Sequence, residues 1–239
     1  MSEYSSKTLK RIMSEIKNIE KYREEMAKSG LYIFYDPDNV GKFYFLIIGT
    51  EGTPYERGFY PFSLEIPARY PFEPPKVQII LPNDGKSRMN PNLYVGGKVC
   101  LSMINTWAGP GWLPSYTIEK VVIAIQALVM NDNPLINEPG HEKDSEDMLN
   151  EYNDAVLHQN YVLAIIRMYN CLDSGCFTYF KDVVLEKFKE YKDFYVERLE
   201  KYVEKYKDVK VFSTRTYGMR INNDYKNILN VIKGLCVME

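Results

Sequence analysis

The sequence predicts an α+β protein. It has an N-terminal helix, a four-stranded antiparallel meander, an ordered coil, a central buried helix and further helices toward the C-terminus. Three observations predict this class. Apolar residues near the N-terminus recur at helical spacing. Four short strand-like segments follow, joined by turn-rich linkers too short for crossovers, which favours antiparallel pairing. After a long aperiodic stretch the pattern becomes helical and stays so.

The first helix is marked by Leu9, Ile12, Met13, Ile16 and Ile19, with Lys28 in its last turn and Gly30 as its stop. Lys7, Lys10, Arg11, Lys17 and Lys21 fall mostly between the apolar positions. They make either a solvated face or a docking face for an acidic partner. Leu31 to Tyr35 is a short apolar run stopped by Asp36-Pro37-Asp38-Asn39. Phe43 to Ile48 is apolar throughout and reads as a central strand buried on both faces. Phe62, Leu64 and Ile66 alternate with Ser63 and Glu65, the pattern of a half-buried strand, and Val77, Ile79 and Leu81 repeat it. Pro71, Pro74 and Pro75 restrict the linker between these two and make it a setting for a cis bond.

From Pro82 to Tyr116 periodicity stops, although Leu93, Val99, Leu101, Trp107 and Trp112 argue for ordered coil. Long irregular stretches in compact domains are usually functional or disordered, so the site is expected here. Ile118, Val121, Val122, Ile125, Leu128 and Val129 then mark a largely buried helix ended by Asn133-Pro134. Residues 141–158 read as a polar-faced helix, and Tyr161 to Leu172 as an apolar one. Val184, Phe188, Tyr191, Tyr195, Leu199, Tyr202 and Tyr206 form one apolar stripe along a highly charged segment. Such a stripe needs a cover, either the core or a partner helix. A last helix, roughly Asp224 to Leu235, is expected to supply part of it.

The 239 residues allow one or two domains. The change of character divides them into residues 1–158 and 159–239. With 45% hydrophobic and 26% charged residues the chain is not a wholly disordered one. A net charge of −2 gives no basic surplus, so no nucleic-acid partner is expected. No apolar stretch approaches the roughly eighteen residues of a membrane span, and the N-terminus lacks the apolar run of a signal peptide. Cys100, Cys171, Cys176 and Cys236 form no CxxC pair and no zinc-like quartet. The expectation is a reduced, intracellular protein, cytoplasmic, nuclear or both, without a metal site.

Cys100 is the residue with the clearest chemical potential. It sits in GGKVCLSM, after two glycines that allow close backbone approach and beside Lys98. Taken alone, it is either a small buried apolar residue or a reactive thiol. A cysteine hydrolase needs a base beside the thiol, and His141 and His158 are the only histidines. Both fall in charged, helical stretches and read as surface residues. A cysteine that works without histidine suits a different chemistry. It can carry an acyl group as a thioester and pass it to an amine. Such a transfer needs an oxyanion donor. Asn92, eight residues upstream, is either that donor or a turn former.

The order of features resembles the catalytic domain of ubiquitin-conjugating enzymes. The matching stretches are GTPYERGFYPFSLEIPARYPFEPPKV, NPNLYVGGKVCLSM, WLPSYTIEKVVIAIQALV and NPLINEPG, within about residues 5–158. The chain is most similar to the large Z-type branch, through Asn90-Pro91-Asn92, CLSMINTWAGPGW, and NEPG followed by a helical extension. The resemblance implies that fold, with Cys100 forming the thioester and Asn92 supporting the oxyanion or its loop. Asn90 stands where the family usually has a histidine read as structural. Asn133, with Asp132 before it, stands where many members carry an aspartate that orients and deprotonates the attacking lysine. An amide cannot take that proton, so Asp132 or desolvation would compensate, or transfer is slow without a ligase.

Phe72, Pro114 and Ser115 resemble the two loops that meet ring-type ligases. Lys7, Lys10 and Arg11 resemble the side that docks on the activating enzyme. The coil from Cys100 to Trp112 is longer than in the smallest members. The implied partners are ubiquitin, or a ubiquitin-like modifier, an activating enzyme, a ring-type or similar ligase and a substrate lysine. The chain itself would be a monomer with no cofactor and no ATP site. The alternative is a catalytically weak ubiquitin-binding scaffold of the same fold, although such variants usually lack the cysteine.

Overall fold

The computed structural model describes residues 4–235. Helix α1 (Ser6–Lys28) starts at Ser5, whose side chain accepts a hydrogen bond from the Thr8 N–H. It ends at Ser29, and Gly30 turns left-handed (φ 73°) into the sheet. The sheet comprises β1 (Leu31–Tyr35), β2 (Lys42–Ile48), β3 (Phe59–Glu65) and β4 (Lys76–Ile79), in the order β1-β2-β3-β4 with every pair antiparallel. The meander expected from the linkers is the observed topology.

Strand β2 is buried on both faces, as its unbroken apolar run predicts. Phe43, Phe45 and Ile47 join a core formed with Ile12 and Ile19 of α1, and with Val121, Val122 and Ile125. Tyr44, Leu46 and Ile48 point the other way, into a second core with Phe180, Val184, Phe188 and Tyr195. Each such side chain removed from water contributes about 1.5–3 kcal/mol. Strand β3 departs from the half-buried alternation at its start. Phe59 through Phe62 are all buried, because the C-terminal helices cover that end as well.

Helix α2 (Ile118–Ala124) is capped by Thr117, which accepts from the Lys120 N–H, and it widens into a π-helical turn at Ile125–Val129. Helix α3 (Glu146–Gln159) starts five residues later than the sequence suggests. The preceding segment folds as turns, with His141 paired to Asp144. It continues as a π-helical stretch, Asn160–Arg167, and the short helix α4 (Met168–Asn170). The division expected after residue 158 therefore falls inside one helical run. Asn160 ties this run to the sheet: it accepts from the Tyr60 hydroxyl (2.6 Å) and donates to Glu56 O (3.0 Å).

The apolar stripe becomes α5 (Lys181–Lys205), and it folds back on the core. Val184, Phe188, Tyr195 and Leu199 are buried, whereas Tyr191 and Tyr202 are half-buried. Helix α6 (Tyr225–Gly234) packs against α5 and shares its core through Tyr225, Ile228 and Ile232. Between α5 and α6 lies a hairpin that periodicity does not reveal, β5 (Val211–Ser213) with β6 (Arg220–Asn222). It places Met219 and Ile221 in the first core.

His158 is a correction. Expected on the surface, it is 3% exposed, sits against the rings of Phe212 and Tyr225, and pairs through Nε2 with Asp224 Oδ1 at 2.7 Å. Among the described residues no helix is long and apolar enough to cross a membrane. Cys236 lies outside the described residues.

Candidate active site

Cys100 lies on a small loop docked beside β4. The loop hangs on a bridge between Gln78 and Lys98 and on the Ile79 N–H donating to Gly97 O (2.8 Å). Gly97 has φ 92°, and a Cβ there would stand 3.1 Å from Ile79 O. A side chain at this position would strain the backbone and push the loop off the strand.

Asn92 and Cys100 hold each other at both ends. The Cys100 N–H donates to Asn92 O (2.8 Å), and Asn92 Nδ2 donates to Cys100 O (2.7 Å). An amide nitrogen carries two hydrogens, so one remains for a developing oxyanion. Asn92 Oδ1 is buried and accepts no hydrogen bond among the described residues. Cys100 itself is 1% exposed.

Asn90 locks the turn before Asn92. Fully buried, it accepts from the Asn92 N–H (2.7 Å) and donates to the Tyr55 hydroxyl (2.9 Å) and to Val129 O (2.6 Å). The Tyr55 hydroxyl passes its own hydrogen to Met89 O. After Cys100, Thr106 plays the equivalent part: its hydroxyl donates to Val99 O and accepts from the Leu101 N–H. Asn105, at φ 59°, accepts from the Trp112 N–H and sets the end of the coil. The aperiodic stretch is thus ordered by isolated backbone bridges together with side-chain-to-backbone bonds, in place of a continuous ladder.

Asn133 and Asp132 lie on the loop after α2. The Asn133 N–H donates to Asn131 Oδ1 (3.1 Å), and Asn153 Nδ2 reaches Asp132 O (3.1 Å) and Asn133 Oδ1 (3.4 Å). The Asp132 residue is exposed, whereas Asn133 is half-buried. The histidine side chains bond elsewhere, His141 to Asp144 and His158 to Asp224. Among the described residues no group of three His, Cys, Asp or Glu side chains could hold a metal ion.

Glu15 organises a second polar network, between α1, the Tyr70 segment and the start of α2. It is 3% exposed. Oε1 accepts from Arg11 Nε (2.7 Å) and the Tyr70 hydroxyl (2.6 Å), and Oε2 accepts from the Ile118 N–H (3.0 Å). Arg11 also donates to Tyr116 O (2.6 Å). Of the three basic residues expected to face a partner, Lys7 and Lys10 are exposed, and Arg11 is half-buried in this internal network. The Tyr70–Pro71 bond is cis. Trp112 Nε1 donates to Pro71 O (2.6 Å), which joins the Phe72 loop to the Pro114–Ser115 loop. Phe72 is 74% exposed, and Leu113, Pro114 and Ser115 are exposed next to it across that bond.

A sequence model of the ubiquitin-conjugating enzymes matches residues 11–160, a stretch that contains both the Asn90–Cys100 loop and the Phe72 and Pro114–Ser115 loops. The chain belongs to the ubiquitin-conjugating enzyme family. It is similar to ubiquitin-conjugating enzyme E2 Z of Xenopus tropicalis, 38% identical over 197 residues, which cover 80% of this chain and 59% of that protein. The protein of the same name in Danio rerio is 39% identical over 193 residues, covering 80% and 57%. The Homo sapiens one is 38% identical over 189 residues, covering 78% and 51%. The chain therefore spans a little over half the length of these relatives, and the similarity runs beyond the residues of the family model.

In this family member the sequence pattern marks Cys100, Asn92, Asn133 and the exposed loops. It does not mark Glu15 or Thr106. A buried acid on a charged helix carries no compositional signal, and a threonine in coil is silent until its partners are known.

Proposed function

We propose that this member of the ubiquitin-conjugating enzyme family accepts activated ubiquitin, and on its resemblance to the Z-type branch a ubiquitin-like modifier as well, as a thioester on Cys100. It then transfers the modifier to a substrate lysine or to a ligase. The observation that carries the reading is the reciprocal bonding of Asn92 and Cys100, in a loop whose thiol has no histidine bonded to it. This suits acyl carriage better than hydrolysis.

In loading, the Cys100 thiolate attacks the carbonyl of the activating enzyme's thioester. A new S–C bond forms and the donor's cysteine leaves as thiolate. In transfer, the lysine amine attacks the Cys100 thioester, the Cys100 thiolate leaves, and the amine gives up a proton. Residues 1–158 would provide this chemistry, and residues 159–239 would close the outer face of the sheet. Phe72, Pro114 and Ser115 would meet a ring-type ligase, and Lys7 and Lys10 the activating enzyme. Arg11 would act there through the Tyr116 carbonyl it holds.

The test is charging: the chain mixed with ATP, magnesium, ubiquitin and an activating enzyme, and resolved on a non-reducing gel. A band shift of one modifier that thiol reverses is expected. A chain that forms no adduct with any modifier and activating-enzyme pair overturns the reading and leaves the scaffold. Asn92→Ala removes both the brace on Cys100 O and the spare amide hydrogen. Single-turnover discharge to free lysine is expected to fall about a hundredfold, the loss typical for one oxyanion donor. An unaltered rate would remove Asn92 from the chemistry. Asp132→Ala is expected to slow the same discharge about a hundredfold if its exposed carboxylate takes the lysine proton. A wild-type rate would end that role.

A further inference from the structure

The hairpin β5–β6 carries a strained residue to the loop that holds Cys100. Its tip places Tyr217 and Gly218 in succession in the left-handed region, with φ 62° and 57°. Glycine adopts this freely, whereas a tyrosine is strained there and persists only when its surroundings hold it. The surroundings here are specific. The Tyr217 ring stands 5.0 Å from the Arg88 guanidinium, which is held at 3.5 Å over the Tyr94 ring. The Tyr217 hydroxyl donates to Glu138. The hairpin backbone approaches the same segment, with Met219 Sδ accepting from the Arg88 N–H (3.3 Å).

Arg88 in turn holds the turn before the thiol. Its Nε donates to Asn90 O (3.1 Å) and its Nη2 to Pro91 O (2.7 Å). The Tyr152 hydroxyl fixes the Arg88 carbonyl at 2.7 Å. A guanidinium in contact with two aromatic rings has less freedom to turn, which restrains the direction of its N–H groups. The contacts run from Tyr217 through Arg88 to Asn90 and Pro91, and from there to Asn92 and Cys100. Through Glu138, Tyr217 also touches the loop that bears Asn133.

We propose that Tyr217, at the tip of the C-terminal hairpin, is a positioning residue for acyl transfer from Cys100, acting by stacking on Arg88 to fix the turn that presents Asn92. The hairpin thereby links the C-terminal extension to the reaction. This inference rests on the conjugation reading and names a residue outside the segment matched by the family model.

The experiment uses the full chain charged with ubiquitin and follows single-turnover discharge to lysine across lysine concentrations, with rates normalised to the thioester present. Tyr217→Ala is expected to lower kcat about fivefold, with the KM for lysine unaltered. Tyr217→Phe keeps the stack and loses only the bond to Glu138, and it is expected to restore the rate. Arg88→Met, which also removes the bonds to Asn90 O and Pro91 O, should be at least as slow as Tyr217→Ala, and the double variant should be no slower than Arg88→Met. A wild-type rate in Tyr217→Ala, a loss confined to KM, or a Tyr217→Phe as slow as Tyr217→Ala overturns the proposal while leaving the conjugation reading intact. A wild-type chain that does not charge overturns the conjugation reading, and this inference with it.

Discussion

Cys100→Ala forms no thiol-reversible adduct under charging conditions, with every other cysteine in place. The expectation is complete loss because the other described thiols lack a comparable setting. Cys171 and Cys176 are half-buried at the end of the α4 segment and in the turn before α5. Burial pushes the Cys176 thiol up from its ordinary value, which disfavours the nucleophilic thiolate. Neither is held by an asparagine side chain, whereas Cys100 is bonded to Asn92 at both its N–H and its carbonyl. A serine at position 100 should trap the modifier as an oxygen ester that survives thiol, since an ester does not exchange with thiols as a thioester does. A thiol-reversible band in Cys100→Ala would place the thioester on another cysteine.

Glu15→Ala is expected to destabilise the chain by about 3–5 kcal/mol, read as a lowered urea midpoint at unaltered slope. The carboxylate is the shared acceptor of three donors from three places: Arg11 on its own helix, the Tyr70 hydroxyl and the first N–H of α2. Its removal leaves the Tyr70 hydroxyl hydrogen and the Ile118 N–H buried without acceptors, each costing about 1–3 kcal/mol. It also releases Arg11 Nε. A loss below about 1 kcal/mol, the range of an exposed ion pair, would mean that water takes over the carboxylate's role. The same substitution should loosen the Phe72 and Ser115 loops, because Tyr70 and Tyr116 are anchored through this group.

The sheet is legible from local pattern. Each strand of the meander has its own apolar run and its own turn-rich linker, and β2 shows both of its buried faces through an unbroken run of six apolar residues, Phe43 to Ile48. Asn92 and Cys100 are near in sequence too, but local pattern leaves Asn92 as either an oxyanion donor or a turn former, and only the family resemblance pairs it with the thiol. Long-range polar pairs are not legible. His158 reads as a surface residue until Asp224, sixty-six positions away, is brought beside it. Glu15 looks like one more charge on a charged helix, and its partners lie up to 103 positions distant. The β5–β6 hairpin escapes because three-residue strands hold too few positions for alternation to register. Its one irregularity, a left-handed tyrosine, is conformational and leaves no mark in composition.

The two-sided burial of β2 decides how the C-terminal segment can be studied. Deleting everything after residue 158 would strip the cover from Tyr44, Leu46, Ile48 and Phe59 and leave a contiguous greasy surface where the native chain has an interior. Such a surface invites self-association, so a shortened chain would report on solubility before it reported on catalysis. The segment is a wall of the building and cannot be detached as an annex. Its contribution to chemistry is reachable only by changes small enough to leave that wall standing, and the tip of the hairpin, solvent-facing at Tyr217 and Gly218, is where such a change is available.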